Sequence, residues 1–251
     1  VRELLTTVSA HPLLYIADQA HLPYGTRPDS EIAHFVDRIA QTMIDRGAQV
    51  IVLACNSASA AALHKLRAAY PHIPFVGMEP AVKPAAQATR SGVIGVLSTH
   101  ATANGELFKT TTARFASDVR VIAQPAPELV ALVESGEWNT PDGLAVLKRV
   151  LMPMLDAGAD QIALACTHFP FLIDGLRTAA GEGVTFVDPS PAVARQARRV
   201  LESAGLFREK GEPRHIFATT GDPDRLRAML RLLIGIDANV DQFAWGRDLT
   251  L

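Results

Sequence analysis

The sequence predicts an α/β protein: two similar α/β domains with mainly parallel sheets, and an active site in the cleft between them. Three observations carry this. Short apolar runs alternate with helical patterns of about 10–15 residues, the rhythm of strands covered by helices. Residues 161–172, QIALACTHFPFL, form an apolar run that closes on Cys166 and passes through Thr167 and His168 into a periodic apolar segment. Residues 50–61, VIVLACNSASAA, do the same at Cys55, Asn56 and Ser57. One strand-to-helix unit is therefore used twice. In open α/β sheets the crevice beyond the carboxyl ends of the strands is where ligands bind.

In chain order, residues 1–9 read as a short helix and 13–17 (LLYIA) as a buried strand. Residues 18–25 form a loop broken by Pro23 and Gly25. Pro28-Asp29-Ser30-Glu31 opens a helix to residue 46, with Ile32, Phe35, Val36, Ile39 and Met43 at three-four spacing. The first cysteine strand, 50–54, leads to a helix capped by Asn56 or Ser57. A brief strand at 75–77 runs into MEPAVKPAA, which Pro80 and Pro84 punctuate as a crossing between domains. Strand 92–97 leads through STHAT into one helix to residue 113. Strand 119–123, a short helix at 128–134 and a helix opened by Thr140-Pro141-Asp142 and ending near 155 come next. The second cysteine strand, 161–165, precedes a strand at 184–187, and Asp188-Pro189-Ser190-Pro191 marks the return crossing. A helix to 204, a last strand at 215–219 and a helix opened by Asp222-Pro223 complete the pattern. The first domain is expected at 1–78 plus 190–251, the second at 79–189.

With 251 residues, 48% of them hydrophobic, the chain can bury a large core. A net charge of −2 offers no footprint for nucleic acid. No apolar run is long enough to span a bilayer and no signal peptide opens the sequence. Two cysteines make no disulfide framework in a chain this long and fit thiols kept reduced in the cytoplasm. Neither GxGxxG nor GxxxxGK[ST] occurs, so no nucleotide or pyridoxal cofactor is expected.

Each cysteine stands between a strand end and a helix start, where unpaired N–H groups favour anions. At least one thiol is therefore expected to have a lowered pKa. Asn56, Ser57, Thr167 and His168 add donors. Two such sites facing each other would put a thiol on either side of one small anion, a device for removing a proton from one face of a carbon and returning it to the other. Three alternatives stay open on this pattern: two structural cysteines, a zinc site of Cys55, Cys166 and His168, and a Cys166–His168 hydrolase pair.

ACNSASA, LACTHFPFL, LPYGTRP at 22–28, EPAVKPA at 79–85, LVESGE at 132–137 and TTGDPDRLR at 219–227 together resemble glutamate racemases, within the wider aspartate/glutamate racemase superfamily. The resemblance runs through nearly the whole chain. It implies two α/β domains, cofactor-independent racemisation by two thiols, no metal, D-glutamate for peptidoglycan and a homodimer. It assigns Cys55 as base for the D-substrate and Cys166 as base for the L-substrate, with His168 and Glu134 assisting Cys166. It assigns Pro23, Tyr24, Gly25, Asn56, Ser57, Thr102, Thr167 and His168 to substrate binding. The family opens on a strand ending in an Asp-Ser-Gly turn, whereas VRELL resembles the helix after that turn. A truncated start and a real loss both fit. A real loss favours a non-catalytic binding or regulatory relative; a racemase for aspartate or another small acid is the other alternative.

Overall fold

The computed structural model describes residues 1–245. Strands β4 (Val93–Ser98), β5 (Arg120–Pro125), β6 (Gln161–Ala165) and β7 (Thr185–Val187) form one parallel sheet in the order β5-β4-β6-β7. All five residues of β6 are buried, as a parallel strand covered on both faces requires. Its side chains alternate between two cores. Ile162 and Leu164 meet Leu147, Leu151 and Met154 of helix α8 (Pro141–Asp156) and Leu129 and Val133 of α7 (Glu128–Ser135). Ala163 and Ala165 meet Val82 and Ala85 of α4 (Val82–Ala88) and Phe108 of α6 (Glu106–Phe115).

The other lobe carries two sheets. Strands β1 (Leu14–Ala17), β8 (Ile216–Thr219) and β9 (Val240–Gln242) are parallel in the order β1-β8-β9, while β2 (Ile51–Val52) and β3 (Phe75–Val76) form a separate parallel pair. Helix α2 (Asp29–Asp45) bridges them. Ile32, Val36 and Ala40 pack on Ile51, Leu53 and the helix α3 (Asn56–Ala69), whereas Ile39 packs with Ile16 and Ala218. Helix α11 (Pro223–Ile234) lays Leu226 and Leu230 on Phe217 and Val240. The first cysteine strand is shorter than its apolar run. One further N–H, from Leu53 to the Val76 carbonyl at 2.9 Å, carries the ladder towards Cys55.

Several expected elements differ. MEPAVKPAA contains the helix α4; Pro84 sits in its first turn, where no N–H is needed within the helix. The single helix expected to 113 is two, α5 (His100–Asn104) and α6 (Glu106–Phe115), parted at Gly105. A Cβ there would stand 3.1 Å from the Ala101 carbonyl oxygen and 3.2 Å from Ala60 Cβ. Residues 215–219 are not the last strand, because β9 follows; two of its three residues are exposed, so it carries little apolar signal. After Cys166 a 3-10 turn (Phe169–Leu172) precedes α9 (Ile173–Ala180).

Gly95 marks the closest approach of α8 to the sheet: a Cβ there would lie 2.5 Å from Met154 Sδ and 3.1 Å from Ile162 Cγ1. Gly95→Ala should therefore cost ~1–3 kcal/mol of stability through overpacking, measured by urea denaturation with the slope unchanged. An unchanged midpoint would contradict this packing.

Candidate active site

Cys55 closes the β2 ladder and is itself the cap of α3, a position expected for Asn56 or Ser57. Its Sγ accepts the Ala58 N–H at 3.4 Å. Asn56 and Ser57 are instead the first helical residues, and both are buried. Ser57 Oγ reaches across to the other lobe, 3.0 Å from Thr99 Oγ1 and 3.3 Å from Thr102 Oγ1. The two threonines meet at 3.1 Å, so three buried hydroxyls join α3 to the start of α5. Gly25 lies against the same place; a Cβ there would stand 2.5 Å from Thr99 Cβ. Only glycine permits that approach between lobes.

Asn56 is 2% exposed, and neither its amide nitrogen nor its amide oxygen has a protein partner. Leaving such a group unpaired costs roughly 1–3 kcal/mol, so this amide is shaped for something that is not protein.

Tyr24 follows Pro23, which is exposed. Its hydroxyl donates to Asp18 Oδ2 at 2.5 Å. Asp18 also accepts from Thr220 Oγ1 at 2.6 Å and from Trp245 Nε1 at 3.2 Å, and meets His21 Nδ1 at 3.0 Å. Burial, and next the Asp18 charge, hold the Tyr24 hydroxyl protonated far above the usual phenol range; a thiolate at Cys55 acts in the same sense.

Cys166 ends β6. Its Sγ lies 3.9 Å from His168 Nδ1, and His168 Nε2 lies 3.0 Å from Glu134 Oε1. Thr167 is partly exposed beside them. Burial opposes a charge on His168, but its bonds to Cys166 and Glu134 outweigh burial and push its pKa up to about 10. The bond to His168 holds the Glu134 carboxyl below its usual range despite burial. At neutral pH the imidazole is thus a cation between the thiol and a carboxylate.

Cys55 is not the lowered thiol expected of at least one of the pair. Burial pushes its pKa up to about 11; the Ala58 N–H opposes this, and a charge on Cys166 reinforces it. Desolvation outweighs the helix start here. Among the described residues no group of three or more His, Cys, Asp or Glu side chains could hold a metal ion.

Sequence reasoning missed Asp18, Thr99 and Arg225. Asp18 and Thr99 each follow a strand end, a signal available locally. Arg225 donates to Glu134 Oε2 at 3.0 Å from a helix 91 positions away, and nothing local marks it.

The two-lobed α/β fold carries one cysteine in each lobe, each just past a strand end, and one of them is backed by a histidine–glutamate pair. The chain belongs to the Asp/Glu/Hydantoin racemase family, whose model matches residues 1–197. It is 45% identical over 235 residues to a glutamate racemase of Roseiflexus sp. (strain RS-1), covering 93% of this chain and 86% of the relative. Its fold matches a crystal structure of a glutamate racemase isoform from Bacillus anthracis with a TM-score of 0.88 at 27% identity, over 96% of this chain and 90% of that one. It matches Escherichia coli glutamate racemase in complex with L-glutamate and the activator UDP-MurNAc-ala with a TM-score of 0.84 at 29% identity, over 97% and 92%.

The thiol environments predict the pH dependence of alkylation. Cys55 should react with iodoacetamide along a curve inflecting above the free-cysteine value of about 8.5, toward about 11. Peptide mapping of the alkylated protein measures it. An inflection below the free value would contradict the burial that raises this thiol.

Proposed function

We propose that this protein interconverts L- and D-glutamate without a cofactor, by two thiols acting on opposite faces of the α-carbon. In cells this supplies D-glutamate for peptidoglycan. The observation that carries the reading is the placement of the two cysteines: Cys55 at the start of α3 in one lobe, and Cys166, backed by His168 and Glu134, after β6 in the other. The catalytic lobes are 1–78 with 190–245 of the described residues, and 79–189; sheet membership supports these boundaries.

The unequal thiols give the direction of a first turnover. Cys166 faces the His168 cation; Cys55, raised by burial, holds its proton. This state removes the α-proton of L-glutamate with Cys166 and donates a proton from Cys55 to the other face. One C–H and one S–H bond break, and one S–H and one C–H bond form. The product state has the thiolate at Cys55, ready for D-glutamate. His168, oriented by Glu134, stabilises the Cys166 thiolate. Asn56, with both amide atoms unpaired, and the N–H groups at the start of α3 suit the substrate's carboxylate. Tyr24, Gly25, Ser57, Thr102 and Thr167 line the substrate's surroundings.

Among the described residues no helix is long and apolar enough to cross a membrane, which is consistent with a cytoplasmic enzyme. The likeness to glutamate racemases supports a homodimer as the working form.

Racemisation of glutamate, followed by circular dichroism, should fall about 10²–10⁴-fold in Cys55→Ala and in Cys166→Ala. Elimination from an analogue with a β-leaving group needs only abstraction. Cys55→Ala should keep elimination from the L-analogue and lose the D-analogue, and Cys166→Ala the reverse. Equal loss of both enantiomers in both variants would end the assignment of one thiol to each face.

A further inference from the structure

The Cys166–His168–Glu134 chain does not stop at Glu134. The carboxylate uses its other oxygen, Oε2, to accept a hydrogen bond from an Arg225 guanidinium nitrogen at 3.0 Å. Glu134 belongs to α7, in the core built on β6, whereas Arg225 belongs to α11, packed on β8 and β9. The pair therefore crosses from one lobe to the other. A second contact accompanies it. The helix α7 ends at Gly136, with φ +77°, and Leu232 of α11 packs there, 3.2 Å from where a Cβ would stand.

Resting on the two-thiol reading above, we propose that Arg225 is a positioning residue that fixes the Glu134 carboxylate only when the lobes are closed. It thereby couples closure to the basicity of the Cys166 side alone. With the lobes together the chain reads thiol, imidazolium, carboxylate, guanidinium, and the charges from His168 to Arg225 alternate. Withdrawal of Arg225 leaves Glu134 free to rotate from His168. The link on the Cys55 side carries no charge: Ser57, which bonds to the Cys55 thiol, meets the Thr99 and Thr102 hydroxyls across the boundary. Stability is a poor reason for this pair. The Arg225 side chain is 56% exposed, and ion pairs with an exposed partner contribute little to folding.

The test needs a readout that reports one thiol at a time. In racemisation the two values of kcat/KM are tied by an equilibrium constant of unity and must fall together. Elimination from β-leaving-group analogues has no such tie. Arg225→Gln should lower elimination from the L-analogue about tenfold through kcat, the loss of one charged hydrogen bond, and leave the D-analogue within about twofold. Arg225→Lys, which can still donate to Oε2, should recover most of the loss. In a Glu134→Gln background, Arg225→Gln should have no further effect, since the residue acts through that carboxylate. Thermal unfolding should move by no more than ~2 °C. Equal loss with both enantiomers, or a tenfold loss that persists in the Glu134→Gln background, would overturn the proposal. Unmutated protein that racemises glutamate, with an Arg225→Gln variant indifferent to both analogues, would overturn it alone. Unmutated protein inert toward glutamate would overturn the two-thiol reading and this inference with it.

Discussion

Two thiols that share one cleft cannot both be ionised at little cost, because each charge raises the pKa of the other group. The rest of the structure assigns that single negative charge. On one side His168, pushed up to about 10, offers Cys166 a cation. On the other, burial pushes Cys55 up to about 11 and keeps its proton in place. The site is thus asymmetric: a cation stands on the Cys166 side, and a protonated thiol on the Cys55 side.

The asymmetry depends on the two lobes meeting. Ser57, Thr99 and Thr102 form a buried hydroxyl cluster across the boundary near Cys55. The backbone of Gly25 packs against Thr99 at the same place. Near Cys166 the boundary is crossed by an ion pair instead. A neutral, buried contact stands beside Cys55, and a charged contact beside Cys166 and His168. The cores themselves reach across the boundary: Leu22 and Leu233 pack on the core around β6, and Ala101 packs on the core around α3.

Much of this was legible because the signals are local. An apolar run that closes on a cysteine and turns at once into polar caps and a helix is a short-range pattern, and it located Cys55, Cys166, His168 and the strands that carry them. Helix starts at Thr140 and Asp222 were equally readable, since each side chain caps its own helix. What escaped has non-local causes. Strand β9 exists because β8 offers it an edge, not because Val240-Asp241-Gln242 is apolar. The raised Cys55 pKa comes from protein mass gathered from several segments, which the residue's own neighbours in sequence do not reveal. The Arg225–Glu134 pair joins positions 91 apart. The separate β2–β3 pair, which α2 joins to β1, was not visible in the spacing of apolar residues either.

Hydrogen exchange at the α-carbon tests the division of labour between the thiols most directly. With L-glutamate as substrate in D2O, the earliest D-glutamate should carry deuterium at Cα, because its proton comes from an exchanged Cys55. The L-glutamate recovered at the same time should stay protiated, since Cys166 returns the proton it removed. Proton NMR of the two enantiomers after separation reads both. Deuterium in recovered L-glutamate at the same rate as in the product would mean that one group serves both faces, and would contradict the account.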